Sequence, residues 1–193
     1  MRTLNRTAIA TVFSALWAVA ATAQAAPQVV QVTATPSVVN AAAAADAFVP
    51  ANGTVWTTSS AYWDNAGSIT FKLDQAYRLS ALTVTADWND IYRFSVSTNG
   101  VNFTQLVTVS GLFDQPAGAN VTAGQVTMPT SFAPTALAYQ YVRVESVFGD
   151  THYAIGEVSF AGTAAPVPEP STLAFMAAGL GVVGFVARRR RPL

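Results

Sequence analysis

The sequence predicts an all-β, antiparallel sandwich domain set between two apolar processing segments, and three observations predict it. Apolar and polar residues alternate with a period of two through most of the interior. Gly, Pro and Asn punctuate that alternation at short intervals, with no βαβ rhythm between strands. Each end carries an apolar run with arginines on its outer side.

At the first end, Arg2 and Arg6 precede an apolar stretch at 8–20, and Ala23-Gln24-Ala25 offers a small-x-small cleavage site. These are the three regions of a signal peptide, so residues 1–25 are expected to be removed by signal peptidase. The domain then occupies residues 26–162. Residues 29–39 read as an edge strand and 41–47 as one helical turn, alanine being the best helix former. Strands follow at 69–73 and 82–85, then at 92–98, where Tyr92, Phe94 and Val96 alternate with Arg93, Ser95 and Ser97. Asn99-Gly100 is a tight-turn signal, and 103–109 is its hairpin partner. Further strands are expected at 121–128, 139–147 and 157–160. The Gly, Ala and Pro of 161–167 read as a linker.

The last segment, 171–193, holds an apolar run at 173–187 followed by Arg188, Arg189, Arg190 and Arg191. Fifteen helical residues reach only about 23 Å against roughly 30 Å of hydrocarbon. A hydrophobic helix of that length, with snorkelling arginines, suits a segment held in the inner membrane only transiently. Arginines before the first apolar segment and after the second both belong on the cytoplasmic side, which puts the domain outside.

The formal net charge of zero conceals a separation. Between residues 26 and 167 only Lys72, Arg78, Arg93 and Arg143 are basic against nine carboxylates, a net charge of minus five. An acidic exported domain has no attraction for nucleic acid. The chain has no cysteine, so it carries neither a disulfide framework nor thiol chemistry.

The run Val167-Pro168-Glu169-Pro170-Ser171, the short apolar segment and the arginine cluster together resemble the PEP-CTERM sorting signal. The resemblance implies cutting at Pro168-Glu169-Pro170 by an exosortase and delivery to the cell surface or an exopolysaccharide matrix, with 163–170 as linker and motif.

A second resemblance spans most of residues 29–162. Asp46 with Thr54-Val55-Trp56, the strand 68–74, the hairpin 97–103, Tyr141-Val142-Arg143-Val144 and the closing segment 155–162 are similar, in order, to segments of discoidin, or factor V/VIII type C, and galactose-binding-like modules. The chain departs from them in having no Asp-Gly pair after Asp46. The resemblance implies an eight-stranded jelly-roll β-sandwich with Trp56 in its core. It also implies a structural calcium held by Asp46, Thr54 and Glu157, with backbone carbonyls completing the six to eight oxygens Ca²⁺ requires. The other reading has Asp46 capping the helical turn and Glu157 pairing with Arg143.

No catalytic motif supports His152, the only histidine. Asp87 and Asp90 are the minimum pair for glycoside hydrolysis, yet they read as solvated loop acids. The chain is therefore expected not to be an enzyme. Trp63-Asp64-Asn65 and Trp88-Asn89-Asp90 each set an indole beside amide and carboxylate groups in an expected loop, a mixture suited to a sugar face and its hydroxyls. Trp88, Asn89, Asp90, Trp63 and His152 are the expected ligand residues; the alternative has Trp88 packing down on the sandwich end. The sequence thus points to an exported carbohydrate-binding or adhesive protein whose partner is extracellular polysaccharide. The runner-up is a biofilm-scaffold protein with no small-ligand site.

Overall fold

The structure, a computed structural model, describes residues 26–111 and 124–166, together with 176, 178–180 and 182. The expected signal peptide at 1–25, Pro168, Glu169 and Pro170, and Arg188 to Arg191 lie outside the described residues. The described positions of the apolar tail are helical. Among the described residues no helix is long and apolar enough to cross a membrane.

The elements are β1 (Val29–Ala34), a 3-10 turn (Ala41–Ala45), β2 (Ala61–Asp64), β3 (Ser68–Asp87), β4 (Ile91–Ser97), β5 (Thr104–Ser110), β6 (Gln125–Ser131), β7 (Tyr139–Phe148) and β8 (His152–Ala164). All pairings are antiparallel, and β3 organises them. Its first half pairs with β1 and β7, and β7 continues to β4 and β5. Its second half pairs with β6 and β8, and β8 continues to β2. One strand therefore belongs to two layers, which close on each other as a sandwich.

The burial phase of β3 shows how the corner is made. Ile69, Phe71, Leu73, Tyr77 and Leu79 are buried at odd positions, and Leu82, Val84 and Ala86 at even ones. A register shift between Leu79 and Ala81 supplies the extra residue that restores the inward face after the bend. Across the layers Phe71 meets Phe160 edge-on with centroids 5.9 Å apart. Burying side chains of this size contributes about 1.5–3 kcal/mol each.

Because β3 descends one layer and ascends the other, the strands share two ends. Asp87, Ile91, Ser110, Gln125, Phe148, His152, Asp64 and Ser68 mark the upper end. The Asn99-Gly100 turn lies at the lower end, with Gly100 at φ 74° and the Ser97 and Asn99 side chains accepting four backbone N–H bonds. Gln28 and Ala165 are also tied there, to Asp74 and Ala76. Both chain connections of the domain thus leave from the lower end.

Three expectations are corrected. Residues 69–73 and 82–85 are arms of one 20-residue strand rather than separate strands. Residues 61–64, expected as loop, form β2 because the edge of β8 offers them a ladder. Residues 161–164, expected as linker, extend β8, where Tyr77, Arg78, Leu79 and Ala81 satisfy their backbone groups. The alanine turn is present as a 3-10 turn with Ala43 and Ala44 buried.

Candidate functional site

The upper end gathers two groups of polar and aromatic side chains. The first is set by strand phase. In the β2–β8 register Trp63 faces Tyr153 and Asp64 faces His152. Alternation turns the first pair inward, where their rings stack with centroids 6.0 Å apart. It turns the second pair outward, with His152 Nδ1 2.7 Å from Asp64 Oδ1 and side chains 52% and 65% exposed. That hydrogen bond, ahead of any other influence, raises the His152 pKa above its ordinary value and leaves Nε2 for a ligand. Trp56, half-buried, lies 5.5 Å from the His152 ring at 34° and meets Tyr62 edge-on at 5.5 Å. An indole, an imidazole and a carboxylate therefore share one accessible surface.

The second group is the β3–β4 connection. Trp88 is half-buried, its N–H directed to Asp87 Oδ1 at 3.0 Å, and its buried indole N–H has no partner among the described residues. Asn89 donates to Asp150 Oδ2 at 2.8 Å, while Asp150 Oδ1 accepts the His152 backbone N–H at 2.9 Å. Asp150 thus ties the Trp88 turn to the His152 segment.

Asp90 is fully buried, and burial pushes its pKa up to about 8, with Asp87 and Asp150 adding to the rise. Its Oδ2 lies 3.0 Å from the Tyr92 hydroxyl, which also contacts the Ala154 carbonyl and accepts the Ala154 N–H. A protonated Asp90 closes this network: it donates to the Tyr92 oxygen, and Tyr92 donates to Ala154. Gly149, at φ 158°, passes so close that a Cβ there would stand 1.8 Å from Asp90 Oδ1. Asp87, 4% exposed, is raised to about 6, chiefly by burial.

Four sequence expectations change here. Trp63, expected to meet a sugar, is 1% exposed and donates its indole N–H to Ser146. Asp90, expected to bind hydroxyls, is closed off beneath Tyr92. Asp87 and Asp90 are buried rather than solvated loop acids, Asp87 as the last residue of β3 and Asp90 against Tyr92 and Gly149. Trp56, expected in the core, is half-buried beside His152 and outside the core cluster. The sequence held no signal for the Asp64–His152–Trp56 grouping, since His152 lies far along the chain from the other two and reaches Asp64 only through the β2–β8 register.

The expected calcium residues lie elsewhere. Glu157 accepts the Ala47 N–H at 3.1 Å, and Asp46 accepts the Phe48 N–H at 2.9 Å. Burial first, then nearby Asp46, raises the Glu157 pKa to about 7. No basic side chain forms an ion pair with either among the described residues, and Arg143 pairs with Glu145 instead. Thr54 is tied into the neighbouring turn, donating to the Ala51 carbonyl at 2.6 Å. Among the described residues no three or more His, Asp or Glu side chains converge as a metal group, so any such ion would draw most of its oxygens from backbone carbonyls and water.

Residues 166–191 match the model of the PEP-CTERM protein-sorting motif. The chain carries a PEP-CTERM sorting motif. That motif implies an exported protein with a C-terminal, membrane-associated sorting signal. No curated protein matches the chain. The domain is similar to an f-lectin (fucolectin) from striped bass (Morone saxatilis) serum, at 17% identity and a TM-score of 0.53, covering 72% of this chain and 48% of that one. It is also similar to a pectin binding carbohydrate binding module, at 16% identity and a TM-score of 0.49, covering 74% and 96%. A third likeness is to CBM32-3 from a family 31 glycoside hydrolase from Clostridium perfringens, at 23%, 0.48, 71% and 91%. The f-lectin likeness shows the fold of the domain: an antiparallel β-sandwich.

Proposed function

We propose that this PEP-CTERM chain is an exported, non-catalytic surface or matrix protein that binds carbohydrate at the upper end of its sandwich. The observation that carries the reading is the Trp56–His152–Asp64 group, with exposed His152 and Asp64 on the paired strands β8 and β2 and half-buried Trp56 on the turn before β2, and with Asn89 and Asp150 beside it. An indole and imidazole offer faces to the apolar side of a pyranose, and Asp64, His152 and Asn89 offer hydrogen bonds to its hydroxyls. Trp88 supports the turn that positions Asn89 and borders the site. Asp46 and Glu157 would hold a calcium ion that ties the 46–48 turn to β8. Signal peptidase removes residues 1–25, the 26–162 domain is released at Pro168-Glu169-Pro170 by an exosortase, and exopolysaccharide is the partner. Since both connections leave from the lower end, the upper end points away from the inner membrane before release.

Shallow sites of this kind bind a monomer weakly, on the order of 0.1–1 mM, or about 4–5.5 kcal/mol. Retention on a polymer then depends on many copies acting together. The test is a glycan array and retention on the cell's own exopolysaccharide, using the full chain in detergent. Wild type is retained, while His152→Ala loses retention and keeps the wild-type melting temperature, and Trp56→Ala loses retention at a stability cost no larger than that of another half-buried ring such as Trp88. Equal retention of wild type and both variants would move the site away from this end. Failure of the wild type to bind any glycan would favour a scaffold protein without a small-ligand site.

A further inference from the structure

On the other side of β2, away from Trp56, lies a groove of about 400 Å³ lined by Thr35, Asn65, Gly67, Ser68, Arg93 and Ser146, with Glu145 and Tyr153 completing its walls. Its volume lies within the range of small-ligand sites. Trp63 is its foundation. A Cβ on Gly67 would stand 2.5 Å from the Trp63 indole, so only glycine lets the 65–67 turn lie flat on the ring. Trp63 also donates to Ser146 Oγ at 3.1 Å, which fixes that hydroxyl in the wall.

Charge separates this groove from the rest of the domain. Of the four basic residues between 26 and 167, Arg93 and Arg143 both stand against one acid, Glu145. Arg93 Nη2 is 3.2 Å from Glu145 Oε2, and Arg143 Nε is 3.1 Å from Glu145 Oε1. Both carboxylate oxygens are thus engaged and the trio keeps a net charge of plus one. Arg93 spends Nε and Nη2 on Glu145. Its Nη1 makes no hydrogen bond to the described residues, and the side chain is 41% exposed. Arg143 meanwhile lies over the Phe103 ring, 4.2 Å from its centroid, which holds the trio in place. The Trp56–His152 surface, by contrast, carries the acids Asp64 and Asp150. An acidic ligand is repelled there and accepted here.

We propose that this groove is a second saccharide site, selective for a sugar that carries a carboxylate, a hexuronate unit of an acidic polysaccharide. Arg93 Nη1 receives the carboxylate, and Thr35, Asn65, Ser68 and Ser146 receive hydroxyls. None of these residues belongs to the Trp56–His152 group, so the two sites are separable by mutation.

The test uses the full chain in detergent and isothermal titration with three matched pairs of short oligomers: glucuronate and glucose, galacturonate and galactose, mannuronate and mannose. At least one acid is expected to bind about tenfold more tightly than its neutral partner, the scale of one charge-assisted hydrogen bond. That preference should shrink as salt is raised, because the guanidinium is partly exposed. Arg93→Gln should abolish the preference and Arg93→Lys should retain part of it. Ala66→Glu, on the exposed rim and outside the core, should abolish it as well without loss of folding. Trp56→Ala and His152→Ala should leave it unchanged. No acid preference in any pair overturns the proposal, as does a preference that survives both Arg93→Gln and Ala66→Glu. A preference lost in Trp56→Ala would assign it to the upper-end site instead.

Discussion

Two segments of this chain look alike in sequence and are built as opposites. In Trp63-Asp64-Asn65 the indole is buried and the acid is exposed. In Trp88-Asn89-Asp90 the indole is half-buried and the acid is the fully buried member. The first segment ends a strand, so alternation assigns Trp63 to the core and Asp64 to solvent. The second is a turn, where no alternation applies and the nearest anchor decides. That anchor is Tyr92, whose hydroxyl, held on the Ala154 backbone, draws Asp90 inside. A tryptophan beside polar groups is therefore not itself a ligand motif. Its backbone geometry decides which member faces a ligand.

The largest break that one substitution makes in this comparison comes from the two indoles. Trp63→Ala leaves a hole between the layers and should cost about 3–5 kcal/mol. Trp88→Ala removes a half-buried ring and should cost less than half as much. Urea unfolding of both variants measures the difference, and equal losses would mean that Trp88 is as much a part of the core as Trp63.

The two acids give the next effect. A carboxyl whose folded pKa lies above its unfolded value keeps a proton that the unfolded chain has released. Stability is then greatest below the unfolded pKa, about 4, and falls as pH rises toward the folded one. Asp90 at about 8 and Asp87 at about 6 both act in this direction. These two groups alone should cost the domain roughly 5 kcal/mol between pH 5 and pH 8, and Glu157, at about 7, adds to the fall. Asp90→Asn, a neutral isostere, should flatten most of that slope, whereas Asp64→Asn should not. A stability that rises over this interval would show Asp90 to be ionised in the folded protein.

Glu157 sharpens the same rule at a smaller scale, because its burial is relieved by a cation rather than by a proton. Calcium bound only to the folded state adds about 2.7 kcal/mol at a hundredfold excess over Kd. Melting curves in millimolar calcium and in chelator should therefore differ by several degrees, and Glu157→Ala should erase the difference. Coincident wild-type curves would leave Asp46 and Glu157 as acceptors for the 47 and 48 backbone alone.

The sequence alone determined the strands that alternate, such as 92–98 and 139–147, because each is half-buried and its period is local. It likewise determined the sorting motif at 166–191, whose order of rigid motif, apolar run and arginines needs no partner elsewhere in the chain. Only the tertiary structure decided that β3 is one strand turning between layers. The bulge near Leu79 carries no composition of its own and is stabilised by β8 alongside. It also decided the roles of Trp56, Trp63, Asp64 and Asp90. Those depend on register with β8 and on the Tyr92 hydroxyl, contacts between residues up to 96 positions apart, and pairing at that range is set by how whole layers close rather than by any local pattern.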